Sequence, residues 1–176
     1  MVHGRARMNI LLIQRESTDL HHTLYSSETS RLALRFYHPK KVSYGVTISV
    51  ASLGSALSLI SELRWYLRRY VRETLFEIED GIFCTHNLAQ DIYYERSTIL
   101  TKPWAFRRIY GFSSGKPTRR LVMAPGASVK DYTNDLAGSE ITIEVWCNED
   151  EVEDIGELIT PEEAGEIPST TDGPDQ

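Results

Sequence analysis

Residues 53–72 read LGSALSLISELRWYLRRYVR, and the reading of the fold depends on how far this stretch stays helical. Leu53, Leu57, Ile60, Leu67 and Val71 recur at the spacing of one helix face, and Leu59, Leu63, Tyr66 and Tyr70 widen that stripe. Ser52 stands where an N-cap belongs, its hydroxyl placed to accept from an amide of the first turn. No proline interrupts the run, and its one glycine, Gly54, lies near the start. The pattern predicts a single long helix over Leu53–Arg72. Arg64, Arg68 and Arg72 follow at i, i+4 and i+8, with Trp65 and Arg69 beside them. Like charges at this spacing repel mildly, so a row of three suits an anionic partner. Arginine stems that shield a core while their heads stay in water account for it as well.

Outward from this helix the pattern changes to period two. Leu32, Leu34 and Phe36 alternate with Ala33 and Arg35, and Val46, Ile48 and Val50 with Thr47 and Ser49; the two runs predict a hairpin turning at His38-Pro39-Lys40-Lys41. Leu75–Phe83 reads as a strand or hairpin with Asp80-Gly81 as its turn. Cys84–Gln90 reads as loop, Ile92–Leu100 as a weak strand, and Arg107–Phe112 as a strand stopped by Ser113-Ser114-Gly115. Residues 113–138, rich in Gly, Ser, Pro, Asp and Asn, predict a long exposed loop. Ile141, Ile143 and Val145 then give the cleanest alternation, and Val152, Ile155, Leu158 and Ile159 fit a short acidic helix. Met8–Ile13 reads as a short strand or a docking arm. The expected fold class is α+β: an antiparallel sheet packed with one long helix and a short C-terminal helix. Residues 1–30 are expected to be a flexible arm, 31–160 a single core domain, and 161–176 a disordered acidic tail.

Charge is sorted along the chain. Of 25 acidic residues, 13 lie at Glu140 or beyond, where there is no Lys or Arg; all 19 basic residues therefore share residues 1–139 with 12 acids, giving that part about +7. Such asymmetry favours a polyanion or a membrane surface as partner, tempered by the acidic end. Two cysteines, Cys84 and Cys147, without a secretory signal favour free thiols in a reducing compartment. The absence of any 18-residue apolar run makes a soluble or peripheral protein the expectation.

No signature for nucleophilic, phosphoryl-transfer or dinucleotide chemistry is present, so no enzyme and no cofactor is expected. Cys84, His86, His38 and Cys147 lack the spacing of a zinc finger, and the acids of Glu149–Asp154 lack the glycine of a calcium loop; no metal site is expected. The basic residues cluster instead. Beyond Arg64, Arg68, Arg69 and Arg72, a second group comprises Arg107, Arg108, Arg119 and Arg120, with Trp65 and Trp104 as interfacial aromatics. Arginines interleaved with aromatics suit phosphate contacts combined with ring stacking, on a nucleic acid or at a lipid headgroup layer.

The order of elements, together with Ala137-Gly-Ser-Glu-Ile-Thr-Ile-Glu-Val-Trp146 running into Asn148-Glu-Asp-Glu-Val152, resembles the matrix proteins of rhabdoviruses, and the small size suits a plant-infecting member. The resemblance implies a virion structural protein that condenses the nucleocapsid and links it to the membrane or glycoprotein. It implies self-association, an anionic membrane surface as peripheral partner, and residence in virion and host cytoplasm. An alternative from another class is a small α+β adaptor or immunity-type binding protein whose acidic tail mimics or masks a nucleic-acid partner.

Overall fold

The computed structural model describes residues 7–95 and 104–152. The strand β1 (Met8–Gln14) organises the rest. Its run Ile-Leu-Leu-Ile sends apolar side chains to both faces, as a strand covered on both sides requires. It pairs antiparallel with β3 (Gly45–Val50) on one side and β4 (Val71–Glu79) on the other. With β2 (Lys40–Val42), β5 (Ile82–Thr85), β6 (Arg107–Ser113), β7 (Lys116–Val122) and β8 (Ile141–Trp146), the sheet runs β2-β3-β1-β4-β5-β8-β6-β7. The pair β5·β8 is parallel and the others are antiparallel, so the sheet is mixed. From β5 the chain passes through α5 (His86–Glu95) and skips one place to β6. Later β8 fills that place antiparallel to β6, which leaves it parallel to β5.

This corrects the expected antiparallel sheet with one long helix. The stretch 53–72 divides into α3 (Leu53–Glu62) and α4 (Arg64–Tyr70), and its last two residues already belong to β4. The break is at Leu63, whose φ −88° and ψ 2° close α3 and open α4. A straight 20-residue helix would be about 30 Å long. The chain instead turns early enough for Val71–Glu79 to enter the sheet beside β1, and Leu63 is fully buried at the corner. Burial of apolar surface by tertiary packing thus overrides a continuous helical pattern. The expected short C-terminal helix, on Val152, Ile155, Leu158 and Ile159, falls almost wholly outside the described residues. Glu149–Glu151 form a single 3-10 turn, and the stretch from 153 onward, with the expected tail, lies outside them.

Other segments shift as well. Leu32–Phe36, expected as a strand, holds the end of α2 (Glu28–Ala33), with Leu32 and Phe36 exposed; three alternating positions are too few to distinguish the periods. The hairpin partner of β3 is Lys40–Val42, at the place assigned to a turn. Met8–Gln14, within the expected arm, is an inner strand, followed by α1 (Leu20–Ser26). The Asp80-Gly81 turn, the Ser113–Gly115 turn and the β8 alternation fall where the sequence places them. Within 113–138, β7 and a 3-10 turn at Val129–Tyr132 replace part of the expected loop.

The sheet is curled. Its outer face carries the helices over a core of Ile10, Leu12, Val46, Ile48, Phe76 and Cys84 with Leu59, Ile60, Leu63 and Leu88 from above. Its inner face closes on Leu11, Ile13, Leu75, Phe83, Tyr110, Phe112, Ile143 and Val145. Tyr44, between β2 and β3, stacks on Phe112 of β6 with ring centroids 4.3 Å apart, so distant parts of the sheet meet at one corner. Gly115 is required there: with φ +75°, a Cβ on it would stand 2.5 Å from the Ser43 carbonyl oxygen.

Polar groups also sit on the inner face. The Tyr110 hydroxyl donates to Glu73 Oε1 at 2.7 Å and accepts from Arg108 Nη1 at 3.2 Å and Arg120 Nη2 at 3.0 Å. Arg120 Nη2 also pairs with Glu73 Oε2 at 3.1 Å. Burial, then the nearby Glu73 carboxylate, pushes the Tyr110 hydroxyl up to about 12. Removing one member of a buried ionic network leaves charge without its counterpart. Glu73→Ala is expected to lower unfolding free energy by about 3 kcal/mol, read by urea titration, and Glu73→Gln by less, because an acceptor remains. Equal, small losses from both would mean the network adds nothing.

Candidate functional site

On the helical face, between α3–α4 and α5, lies an open cleft of about 810 Å³. Its floor is Val71 and Thr74 of β4. One wall is Leu57, Ser58 and Ser61 of α3 with Arg64, Leu67 and Arg68 of α4; the other is His86, Gln90, Tyr93 and Tyr94 of α5. Arg15, just past β1, completes it. Three arginines line the cleft, and no Asp or Glu does so among the described residues.

Local structure explains each position. Arg64 and Arg68 are one helical turn apart on α4 and lie exposed on the same side. Arg15 is fixed by its backbone, whose N–H donates to the Tyr70 carbonyl at 3.0 Å, and by Nη2, which donates to the Arg68 carbonyl at 3.3 Å. The remaining guanidinium donors can meet an anion. Tyr93 lies against Gly54 of α3, where a Cβ would come within 3.1 Å of the ring. Tyr93 and Tyr94 meet edge to face with centroids 5.1 Å apart, and Tyr94 is 77% exposed. Thr85 precedes α5 and its hydroxyl oxygen accepts from the Leu88 amide at 3.3 Å, so His86 begins the helix with its side chain half-buried in the cleft. Burial holds the His86 imidazole below its ordinary range, and Glu151 works against that shift.

The other expected site residues separate. Arg72 leaves the row of Arg64 and Arg68 because the helix ends at Tyr70; it sits exposed in β4, where the β1 register shifts. The Arg69 guanidinium lies 4.8 Å from the Trp65 ring centroid, and Trp65 is 56% exposed, so this pair forms a second exposed aromatic–cation surface on α4. Arg107 is a structural pin: it pairs with Glu144 at 2.7 Å and donates to the Ala127 carbonyl at 2.6 Å. Arg108, 3% exposed, donates to Tyr110 and, through Nε, to the Val152 carbonyl at 3.3 Å. Arg120 belongs to the inner-face network, while Arg119 is exposed on β7. Trp104 is no interfacial ring either: its indole N–H donates to the Cys147 carbonyl at 2.7 Å and its body packs on the core.

Sequence reasoning missed Arg15, His86, Gln90, Tyr93 and Tyr94. A signal was present: His86, Gln90, Tyr93 and Tyr94 stand at i, i+4, i+7 and i+8, one helical face. The thiols stay out of the site. Cys84 and Cys147 are buried and free; burial raises both, Cys147 to about 11, so neither is a ready nucleophile near neutral pH.

A curled mixed sheet with short helices on its outer face, and an open arginine- and tyrosine-lined cleft between them, defines the class: an α/β protein with a basic, aromatic cleft. The chain belongs to a family of unknown function, DUF5804, whose model matches residues 8–111. That span contains every residue of the cleft, from Arg15 to Tyr94. No curated protein and no solved structure matches the chain.

Proposed function

We propose that this is a non-enzymatic binding protein that holds single-stranded nucleic acid in the cleft between α4 and α5. The observation that carries the reading is the lining: Arg15, Arg64 and Arg68 with two tyrosine rings, and no carboxylate among the described residues. Guanidinium groups meet phosphates, and exposed rings give stacking platforms that accept any base. A recessed cleft suits a strand better than a bilayer, since peripheral membrane binding needs an apolar face that projects into the headgroup layer. Among the described residues no helix is long and apolar enough to cross a membrane. The matrix-protein resemblance would make the strand the RNA of a nucleocapsid. The element order behind that resemblance included a long helix and a leading strand at 32–36, which are not the elements observed.

The test is titration of a labelled single-stranded oligonucleotide with the full chain over a salt series. Three phosphate contacts predict a slope of about −2 in log affinity against log salt, by counterion release from a single strand. Saturable binding with that slope supports the reading. Binding to phosphatidylserine vesicles but not to the oligonucleotide would move the cleft to lipid, and binding to neither would end the proposal.

A further inference from the structure

We infer that His86 makes the cleft an acid-strengthened anion site: a proton taken up by its imidazole is shared with the bound phosphate, so ligand is held more tightly as pH falls. The inference rests on the reading of the cleft as a nucleic-acid site and names its regulation.

The placement of His86 carries it. The residue opens α5 and faces into the cleft lined by Arg15, Arg64 and Arg68. Its ring lies 5.7 Å from that of Phe76 on β4, which removes water from one side. The positive end of a helix disfavours an imidazolium at that position, where α5 begins. The empty cleft therefore works to keep His86 neutral, in the direction that burial already shifts it. A phosphate seated among the arginines reverses the local field. Linkage then requires that whatever raises proton affinity when ligand binds also raises ligand affinity when the proton binds.

The surroundings leave the imidazole as the group positioned to respond. From the 3-10 turn Glu149–Glu151, the Glu151 carboxylate acts on His86. That carboxylate is engaged by the Thr85 hydroxyl at 2.9 Å, the Asn87 amide at 3.3 Å and the Asn148 backbone N–H at 3.1 Å. On α5 itself, Asp91 accepts from Asn148 Nδ2 at 2.9 Å, and Tyr93 and Tyr94 complete the wall. Arg64 and Arg68 come from α4 and Arg15 from the end of β1. The residues facing the cleft from α3 and β4, including Ser58, Ser61 and Thr74, carry no charge.

The sign follows. Below its ordinary range near pH 6.5 a histidine can take a proton if the site supplies a counter-charge, and here only the ligand does so from within the lining. Affinity should rise from pH 7.5 to pH 5.5 by about tenfold, as expected for one added charge close to a phosphate in a partly desolvated cleft. The burial-lowered imidazole has the opposite effect on the empty fold, whose stability falls as pH falls through the same range. Melting curves at each pH separate the two effects.

The probe is oligothymidylate labelled with tetramethylrhodamine, because neither thymine, nor a phosphodiester, nor this dye titrates in this window. Anisotropy titrations of the full chain and of His86→Gln are made at constant ionic strength and pH 5.5, 6.5 and 7.5. Alongside, the His86 ring resonance is followed by NMR with and without saturating oligonucleotide. The expected result is tightening in the wild type, a flat profile in the variant, and a His86 midpoint that moves up when oligonucleotide is bound. Wild-type binding that is intact but independent of pH overturns the inference and leaves the cleft reading standing. Tightening that survives in His86→Gln also overturns it, assigning the effect to another histidine such as His21, His22 or His38. If His86→Gln does not fold, an unmoved His86 midpoint in the wild type overturns it instead. Absence of wild-type binding at every pH defeats the cleft reading, and the inference with it.

Discussion

A chain carrying Arg64→Glu and Arg68→Glu together will bind single-stranded oligonucleotide at least about 100-fold more weakly than the wild type, since each lost charge-assisted contact is worth about 1.5–3 kcal/mol and about 1.4 kcal/mol is tenfold. The same chain will melt at the wild-type temperature. Both side chains are exposed on α4, and among the described residues neither pairs with a carboxylate, so reversal breaks no ion pair among them. Each new carboxylate faces a cleft that otherwise has none among its described lining residues, so repulsion adds to the loss. Arg72→Glu is the matched control. It changes the same charge on a residue outside the lining, and its effect should stay within about threefold near physiological salt, where screening acts over about 8 Å. Normal binding by the double variant would show the arginines to be a solvated face. An equal loss from Arg72→Glu would mean that overall charge, not the cleft, holds the ligand.

Gly45→Ala will destabilise the fold severely although it adds a single methyl group. Gly45 begins β3 and pairs with Ile13 of β1. A Cβ there would lie 1.8 Å from the Leu12 carbonyl oxygen and 2.9 Å from its carbonyl carbon. Both are backbone atoms of an inner strand held on each side, so no side chain can swing away. The β1·β3 ladder must open locally, and a loss of about 3 kcal/mol or more is expected, at the severe end for point substitutions. Urea unfolding should show a lower midpoint with an unchanged slope if only the native state is affected. A midpoint equal to that of the wild type would contradict the pairing of β1 with β3.

The sheet was partly legible in the sequence. The alternations Val46-Ile48-Val50 and Ile143-Val145 mark strands because side chains on a strand point to opposite faces wherever it sits. The Asp80-Gly81 and Ser114-Gly115 turns were visible for a similarly local reason, since both glycines adopt positive φ. The helical character of 53–70 was also legible, but its end was not. Leu63 and Val71 fit the stripe of a longer helix, yet the chain breaks at the first and enters the sheet at the second. A pattern of apolar residues states which side is buried, not against what.

Half of the candidate site was legible in the same sense. Arg64 and Arg68 share a face because helical spacing puts them there, whatever surrounds them. The roles of the other arginines depended on partners remote in the chain. Arg107 is taken up by Glu144, 37 residues on, and Arg120 by Glu73, 47 residues back; the same basic dipeptides would be free surface in another fold. What the sequence by itself determined is thus the local record: period, turn, helical face and the partition of charge between the two parts of the chain. Tertiary structure alone decided that β1 lies inside the sheet, that the stretch 53–72 breaks at Leu63 and ends in β4, and that Arg15, Arg64, Arg68, His86 and Tyr93 surround one cleft. Such an arrangement arises from contacts across tens of residues, whose energies depend on burial and distance, and no window along the chain contains both.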